Sequence, residues 1–365
     1  QSNADEAYKG AAAAFNDVAN NIPGKNASDG NPVYAANYNK ALAEGKSIST
    51  KGAQTAPLGK DAVNQALAVY KNNQTAQNMF NNGVNNANAA YKDARNNPNN
   101  TIDHPTNSDY DEAYRGAAAG FNDISSDTTN SQFNDDKSLV YQNAYTKAAN
   151  ESIALATKGA ILANTGKQVT DGLDGSNDQA VYNAVNSGYN DASTGYDTAV
   201  QDPSKSFNHT SNSNIDKSYR GAAAAFNDIA GNNGQSSRSI SDDPVFTSAY
   251  DKAYQVGLQY LNNGANDAAN NVDEQTGINS LNGYQALIDV YDRGYQDSGN
   301  GYKLAQQNRN DQANHTSNSN NDVSYNGAAA GFNDVINGTV GKHQNDVQSA
   351  TYQNAYARAV KEAQA

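Results

Sequence analysis

The sequence contains no cysteine and no tryptophan, and it has one methionine. Without cysteine the chain can form no disulfide bond, no thiol nucleophile and no thiolate zinc site. Large apolar side chains are scarce, because Val, Ile, Leu and Phe make up about 14% of the residues, below the roughly 20% at which disorder becomes the default expectation. No apolar run approaches the about 18 residues of a membrane-spanning helix, so we expect no membrane insertion.

The charge balance narrows the classes of partner. The net charge is −13 over 365 residues and the pI is near 4.6. A nucleic-acid-binding protein needs a basic face, which this balance disfavours. The charge is nevertheless modest for the length, and the 23 tyrosines supply aromatic surface, so the composition does not force a disordered chain.

An internal repeat organises the whole chain. One segment recurs four times, at 5–18, 111–124, 216–229 and 322–335. Its leading tyrosines are spaced by 106, 105 and 106 residues: Tyr8, Tyr114, Tyr219 and Tyr325. Regularity of this kind is the signature of a tandem-repeat protein. We call this segment A.

Two further segments keep the same period. Segment B carries two aromatic residues four apart, beginning at residues 34, 141, 246 and 352. Segment C ends at Tyr91, Tyr196 and Tyr302. The order is therefore ABC-ABC-ABC-AB, which predicts repeats at 5–106, 107–211 and 212–317 and a partial repeat at 318–365. Residues 1–4 have the form of an expression-tag remnant and are left out of this prediction.

Each segment is predicted to be a helix. Apolar residues of segment A recur at steps of three and four, as in Tyr8, Ala11, Ala12, Phe15 and Val18, which is the period of an amphipathic helix. An acidic residue stands three positions before each leading tyrosine and is predicted to be the N-cap. These residues are Asp5, Asp111, Asp216 and Asp322.

Segments B and C carry their own helix signals. Residues of N-cap type precede segment B in all four copies, namely Asn31, Ser138, Asp243 and Ser349. Segment C is predicted to be a helix of about 25 residues, or roughly 37 Å. In the first copy we expect breaks at Asn72-Asn73 and at Asn81-Asn82. The fold prediction is therefore all-α, with about eleven helices whose repeats stack end to end into a rod or superhelix.

The core must be built from Ala, Gly and Tyr. A glycine recurs inside segment A despite its cost of about 1 kcal/mol in a helix, so we expect a close helix contact at Gly10, Gly116, Gly221 and Gly327. The buried aromatic of each segment A is predicted to be Phe15, Phe121, Phe226 and Phe332. The acid two residues later is predicted to accept hydrogen bonds from tyrosine hydroxyls: Asp17, Asp123, Asp228 and Asp334.

No catalytic, metal or cofactor site stands out. The tyrosine stripe favours a core over a sugar-stacking platform, because its spacing is that of a helix face. His104, His209 and His315 lie far apart in the chain, one at each junction between repeats and without companion ligands, so a structural role is favoured over metal binding. The acidic stretch 171–178 lacks the ligand spacing of an EF-hand, which favours a solvated turn over a calcium site. We expect no cofactor and no enzymatic activity.

The period, the Ala/Asn/Tyr/Asp composition and the element Tyr-x-Gly-Ala-x-Ala-x-Phe-Asn-Asp resemble repeat-bearing extracellular proteins of lactic acid bacteria. The resemblance implies a secreted or cell-wall-attached, non-enzymatic protein that serves as an adhesive stalk or as a multivalent binder of a host or cell-surface glycan or protein. The alternative is a cell-wall or S-layer-associated module, and an enzyme of unrecognised type comes third. We expect a monomer in solution.

The helical prediction runs against the composition and can be tested directly. Circular dichroism of the chain should show a predominantly helical spectrum, because alanine-rich segments with periodic apolar positions form helices at little entropic cost. A random-coil or strongly β-type spectrum would refute the all-α prediction.

Overall fold

A computed structural model describes residues 2–100, 108–126, 128, 130–204, 213–310 and 319–365. Thirteen α-helices lie in these ranges. They are α1 Asn3–Ala19, α2 Pro32–Thr55, α3 Lys60–Leu67, α4 Gln74–Asn96, α5 Asp109–Ser125, α6 Leu139–Asn164, α7 Gln179–Gln201, α8 Asn214–Ala230, α9 Pro244–Ala269, α10 Glu274–Asn279, α11 Gln285–Gln307, α12 Asn320–Ile336 and α13 Ala350–Gln364. The all-α prediction is confirmed, and no strand occurs in the described ranges.

Eleven of these helices correspond to the predicted segments. Segment A forms α1, α5, α8 and α12, segment B forms α2, α6, α9 and α13, and segment C forms α4, α7 and α11. The short helices α3 and α10 are additional and lie between segments B and C. No helix within the described ranges is long and apolar enough to cross a membrane.

The chain divides into two compact units, Gln1–Gly159 with Gln168–Tyr189, and Ala160–Lys167 with Asn190–Ala365. In the first unit α1 packs on α2, α2 on α4 and α4 on α5. In the second unit α8 packs on α9, α9 on α11, α11 on α12 and α12 on α13. Within each unit, therefore, consecutive segments are neighbours. The repeat boundaries and the rod remain predictions.

Helix starts differ from the prediction in segment A. The N-caps are serines that accept a hydrogen bond from the main-chain N–H three residues later: Ser2, Ser108, Ser213 and Ser319. The prediction that Asp5, Asp111, Asp216 and Asp322 are N-caps is therefore wrong, because each is the third helical residue. At Ser2 the carboxylate of Asp5 also accepts from the serine N–H, which completes a capping box. Residues 2–4, which the prediction left out of the fold, thus form the N-cap and the first two positions of α1.

The caps of segment B agree with the prediction. The side chains of Asn31 and Asp243 accept from main-chain N–H groups of the first turn, and Pro32 and Pro244 follow at the first helical position. Ser138 Oγ accepts from the N–H of Val140 at 3.2 Å. Ser349 stands at the N-cap of α13 without a side-chain cap bond.

The predicted break at Asn81-Asn82 is wrong, because α4 runs without interruption from residue 74 to residue 96. The side-chain amide of Asn82 donates to the main-chain oxygen of Val18 at 2.9 Å, and also to that of Ala19, at the end of α1. A residue of low helix propensity is tolerated there because its amide adds hydrogen bonds to two carbonyls at the end of α1.

Close main-chain approach at glycine is the main packing device. An added Cβ at Gly10, Gly116, Gly221 or Gly327 would lie 2.8–3.0 Å from a carbonyl carbon of segment B and would overlap the attached oxygen. The carbonyls belong to the first aromatic of that segment, residues 34, 141, 246 and 352. The predicted tight contact is therefore present in all four copies.

Segments B and C meet through a second, reciprocal set of glycines that the sequence analysis did not identify. A Cβ on either glycine of a pair would overlap a main-chain carbonyl of the opposite helix. The pairs are Gly52 with Gly83, Gly159 with Gly188, and Gly264 with Gly294. Both glycines of the pair recur with nearly the period of segment A, which is the signal that could have revealed them.

The glycine contact predicts a destabilising substitution. Gly116→Leu should lower the free energy of unfolding by about 1–3 kcal/mol, because the side chain would overlap the Tyr141 main chain. Gly299→Ala is the control, since Gly299 lies in α11 with nothing within 4 Å of an added Cβ. That change should stabilise by up to about 1 kcal/mol. Thermal or urea denaturation measures both, and stabilisation by Gly116→Leu would contradict the packing account.

Candidate functional site

The residues that recur most regularly form a buried polar cluster between segments A and B. Its centre is an aspartate whose side chain is 0–2% exposed in every copy. The second aromatic of segment B donates its hydroxyl hydrogen to this carboxylate. The pairs are Tyr38 to Asp17 at 2.6 Å, Tyr145 to Asp123 at 2.5 Å, Tyr250 to Asp228 at 2.7 Å and Tyr356 to Asp334 at 2.7 Å. The predicted partnership is present in all four copies.

The same carboxylate holds the loop between the two helices. A main-chain N–H nine residues after the aspartate donates to it, from Asn26, Gln132, Ser237 and His343, at 2.7–3.0 Å. Side chains of the loop donate as well, and the set of donors varies among the copies: Asn26, Ser131 and Gln132, Ser236 and Ser237, and Thr339. The carboxylate thus replaces its lost hydration with several donors, as a buried charge requires.

A second tyrosine holds the loop from the other side. Tyr34 donates to the main-chain oxygen of Asn26 at 2.9 Å, and Tyr141 donates to that of Gln132 at 2.8 Å. The N–H groups of those same loop residues bind the aspartate. The third copy has Phe246 at this position and therefore lacks the hydroxyl.

The donors set the ionisation of the carboxylates. Burial by itself would raise the pKa of Asp123, but hydrogen bonds from Tyr145, Gln132 and Ser131 outweigh it and lower the pKa below the usual value. The pKa of Asp17, Asp228 and Asp334 is lowered for the same reasons. Burial and the hydrogen bond to an anionic acceptor raise the pKa of the Tyr145 and Tyr250 hydroxyls. Each pair is therefore a carboxylate with a neutral phenol, which suits a structural anchor.

A different repeated arrangement lies where segment C meets the next A and B segments. The tyrosine near the end of segment C packs on the phenylalanine of segment A with centroids 5.6–6.5 Å apart. The pairs are Tyr91 with Phe121, Tyr196 with Phe226, and Tyr302 with Phe332. A cation of segment B lies 3.9–4.0 Å from the centroid of the same tyrosine: Lys147, Lys252 and Arg358 respectively.

Acidic residues complete this arrangement in two copies. Tyr91 donates to Glu151 at 2.5 Å, and Tyr302 donates to Glu362 at 2.9 Å. Burial, together with the hydrogen bond to the acid, raises the pKa of both hydroxyls. The remaining copy, which contains Tyr196, has Val256 at the corresponding position. Sequence analysis missed the cation, although its separation from the tyrosine along the chain is the same in all three copies.

The leading tyrosine of segment A also contacts segment C, by donating a hydrogen bond to main-chain oxygens at or just after the end of the segment C helix. Tyr114 donates to the main-chain oxygens of Asn97 and Asn100 at 2.8 Å, at the end of α4. Tyr219 and Tyr325 make the equivalent bond, at 3.3 and 2.9 Å, just after α7 and α11. These three tyrosines are 5–6% exposed.

Tyr8 departs from this pattern and is 75% exposed. The prediction that it lies in the core stripe is therefore wrong. Phe15 and Phe332 are half-buried, whereas Phe121 and Phe226 are 1% exposed.

The other candidate residues show no reactive cluster. His104, His209 and His315 lie outside the described residues. Within the described ranges no group of three or more His, Asp or Glu side chains could hold a metal ion. In the stretch 171–178, Asp171 accepts from the N–H of Gln168, Asp174 pairs with Lys158 and Asp178 pairs with Arg95. These carboxylates point to different partners, as in the predicted turn.

The lowered aspartate pKa predicts acid sensitivity. A carboxyl whose pKa is lower folded than unfolded stabilises above the unfolded value of about 4, and this contribution is lost as the pH falls through the folded pKa. The free energy of unfolding should therefore decline as the pH drops below about 5. Denaturant titrations at pH 7, 5, 4 and 3 measure it.

The variant Asp123→Asn tests the contribution of the buried carboxylate in the second copy. The variant should be less stable at pH 7 by about 1–3 kcal/mol and should lose less stability on acidification, because one titrating anchor is gone. Asp61→Asn is the control, since Asp61 is exposed on α3. Equal behaviour of the Asp123 and Asp61 variants would refute the role of the buried carboxylate.

The comparisons with known proteins do not assign these arrangements. No protein-family model matches the chain, and no curated protein or solved structure is significantly similar to it.

Proposed function

We propose that this chain is a non-enzymatic repeat protein of the secreted or cell-surface type, and that it acts as a stalk whose length is set by the number of repeats. The observation that carries the proposal is the use of the repeated residues. The tyrosines and aspartates that recur with the period of segment A hold helices and loops together in the clusters described above.

The environment of the repeated acids supports a structural role. The four aspartates are 0–2% exposed and accept hydrogen bonds from tyrosine and from loop groups. A carboxylate so enclosed has neither access to an outside substrate nor free lone pairs for a ligand. The repeated tyrosines Tyr145, Tyr250 and Tyr356 are likewise buried and engaged.

The exposed aromatics argue for a stalk over a multivalent binder. Multivalent binding needs the same exposed patch in each repeat, because avidity comes from identical sites on one chain. The tyrosines that are more than a third exposed are Tyr8, Tyr182 and Tyr284. They stand in segment A, inside segment C and at the N-cap of segment C, so no two of them share a repeat position.

The cavities also differ from one repeat to the next. One of about 520 Å³ lies beside Lys46, Lys51 and Tyr70 in the first unit. One of about 260 Å³ lies beside Tyr260 and Asp267 in the second unit. Both lie near the connection between segments B and C, and the residues that line them differ between the two repeats.

The stalk predicts a length that follows repeat number. Deleting residues 213–318 removes one period and places Ser319 where Ser213 stood, which keeps the N-cap of the next helix. Small-angle scattering should show a shorter maximum dimension with an unchanged cross-section. Inserting a second copy of 213–318 should lengthen the particle by the same step.

The radius of gyration distinguishes a stalk from a compact protein. A compact 365-residue protein would have a radius of gyration of about 21 Å, and an elongated array must exceed it. A measured radius of gyration equal to that of a compact protein would refute the stalk. The same three proteins should be screened against glycans and host proteins: binding that grows with repeat number would favour the multivalent binder, and turnover of any substrate would contradict both.

A further inference from the structure

Seven asparagines of the chain are followed directly by glycine. In such a pair the main-chain nitrogen of the glycine can attack the side-chain amide carbon of the asparagine, because glycine carries no Cβ to hinder the approach. Attack requires a glycine nitrogen that is free of hydrogen bonds and a main chain that brings it within reach of the side chain. The fold therefore decides which of the seven pairs can react.

Four of the pairs lie inside helices and are held away from this geometry. A helical N–H donates to the carbonyl four residues earlier, so the helix must open locally before the glycine nitrogen can react. The glycines of these pairs are also fixed by packing, since an added Cβ would overlap a main-chain carbonyl of another helix. The pairs are Asn82-Gly83 in α4, Asn263-Gly264 in α9, Asn300-Gly301 in α11 and Asn326-Gly327 in α12.

Two further pairs lie in loops, and each has a hydrogen bond or a main-chain geometry that opposes the attack. At Asn337-Gly338 the glycine N–H donates to the main-chain oxygen of Val335 at 3.2 Å. At Asn233-Gly234 the asparagine N–H donates to the main-chain oxygen of Asp228 at 2.8 Å, and φ is positive at the glycine but not at the asparagine.

The seventh pair, Asn282-Gly283, occupies the tip of a tight turn between α10 and α11. The φ angles of Asn282 and Gly283 are 52° and 76°, and the N–H of Tyr284 donates to the main-chain oxygen of Leu281 at 3.0 Å. Positive φ at both central residues is the mark of a type I′ turn. Both central residues are exposed. In the described part of the chain neither the Asn282 side chain nor the Gly283 N–H has a hydrogen-bond partner.

The reacting geometry is one peptide rotation away from this turn. A type II′ turn keeps the positive φ of its first central residue and gives the second a negative φ. Rotation of the peptide group between Asn282 and Gly283 makes this change while Leu281 and Tyr284 stay in place, and glycine accepts either sign of φ. The rotation turns the Gly283 nitrogen toward the Asn282 side chain, because ψ of the first central residue then matches that of a five-membered succinimide ring.

We propose that Asn282 is a site of spontaneous covalent self-modification, at which its side chain cyclises onto Gly283 and is then hydrolysed. The Gly283 nitrogen loses its proton to solvent and bonds to Cγ of Asn282, and the side-chain nitrogen leaves as ammonia. Water then adds to one of the two ring carbonyls and breaks its bond to the nitrogen. Opening at one carbonyl leaves aspartate, and opening at the other leaves isoaspartate.

The two products should affect the fold differently. Both place a carboxylate near the start of α11, whose N-cap Tyr284 makes no side-chain cap bond, and a negative charge is favourable there. Isoaspartate also adds a methylene carbon to the main chain of the turn. Leu281 is 6% exposed and anchors the turn, whereas the preceding α10 contains no buried residue. We therefore expect isoaspartate to loosen α10 and aspartate to leave it in place.

The proposal is independent of the stalk, because it concerns one turn and not the length of the array. The first test incubates the folded full chain at pH 8 and maps its peptides by mass spectrometry against an unincubated sample. Trypsin, which cleaves after Lys and Arg, releases residues 253–293 as one peptide that carries both Asn263-Gly264 and Asn282-Gly283. Fragmentation of this peptide therefore gives both conversion rates from the same molecule.

Asn282 should convert faster than Asn263 by on the order of tenfold or more, because α9 must open before the Gly264 nitrogen can react. Equal rates in the folded chain would overturn the proposal, as would the absence of conversion at Asn282. The same incubation in guanidinium chloride removes the fold, and there the two asparagines should convert at similar rates. A tenfold difference that persists in denaturant would come from local sequence and would overturn the role of the turn.

The second test measures what the modification does. Asn282→Gln should not convert in the same time, because its side chain would have to close a six-membered ring, and it is the matched control. Hydrogen exchange of the α10 amides should become faster on incubation of the natural chain, in proportion to its isoaspartate, and should not change in Asn282→Gln. Asn282→Asp should keep the slow exchange of the unincubated chain. Equal acceleration in the natural chain and in Asn282→Gln would overturn the link between this site and α10.

Discussion

The close approach of helix main chains at glycine is the constraint on which the rest of the structure depends. With so few large aliphatic side chains, the helices gain dispersion contacts by bringing their main chains together. The glycines of segment A meet carbonyls of segment B, and pairs such as Gly52 with Gly83 do the same for segments B and C. Each glycine destabilises its own helix, and the close contact that it permits offsets this cost by stabilising the packing between helices.

Tyrosine supplies the area that alanine and glycine lack, and it brings a hydroxyl that must be satisfied. The largest fully buried side chains include Tyr38, Tyr145, Tyr250, Tyr291 and Tyr302. The buried aspartate of segment A accepts from the hydroxyls of Tyr38, Tyr145 and Tyr250 and also holds the following loop. Tyr291 donates instead to Asp267, and Tyr302 donates to Glu362. A core of this kind is specified by hydrogen-bond geometry as well as by volume, which suits a sequence low in Val, Ile and Leu.

The side chains that recur in every repeat therefore lie mainly in the interior, and the surface residues vary among repeats. The regular positions are committed to contacts within segments A and B or to the contact of segment C with the next A and B. Variation is concentrated in the loops that donate to the aspartates and in the connections that contain α3 and α10. In the first repeat Tyr8 is exposed, whereas Tyr114, Tyr219 and Tyr325 at the same repeat position are buried.

The sequence by itself determined the helical class, the order of segments, the tight glycine of segment A and the tyrosine–aspartate partnership, because each leaves a periodic mark at fixed spacing. It could not decide whether Ser2 or Asp5 caps the first helix, since both residue types suit a cap and only the chain path distinguishes them. Tertiary structure alone decided that Asn82 sits inside an unbroken helix, because its amide caps carbonyls of α1 that are 63 and 64 residues away. It alone decided the exposure of Tyr8, because a repeated residue is buried only where a neighbouring helix covers it, and that cover is a property of the assembled fold.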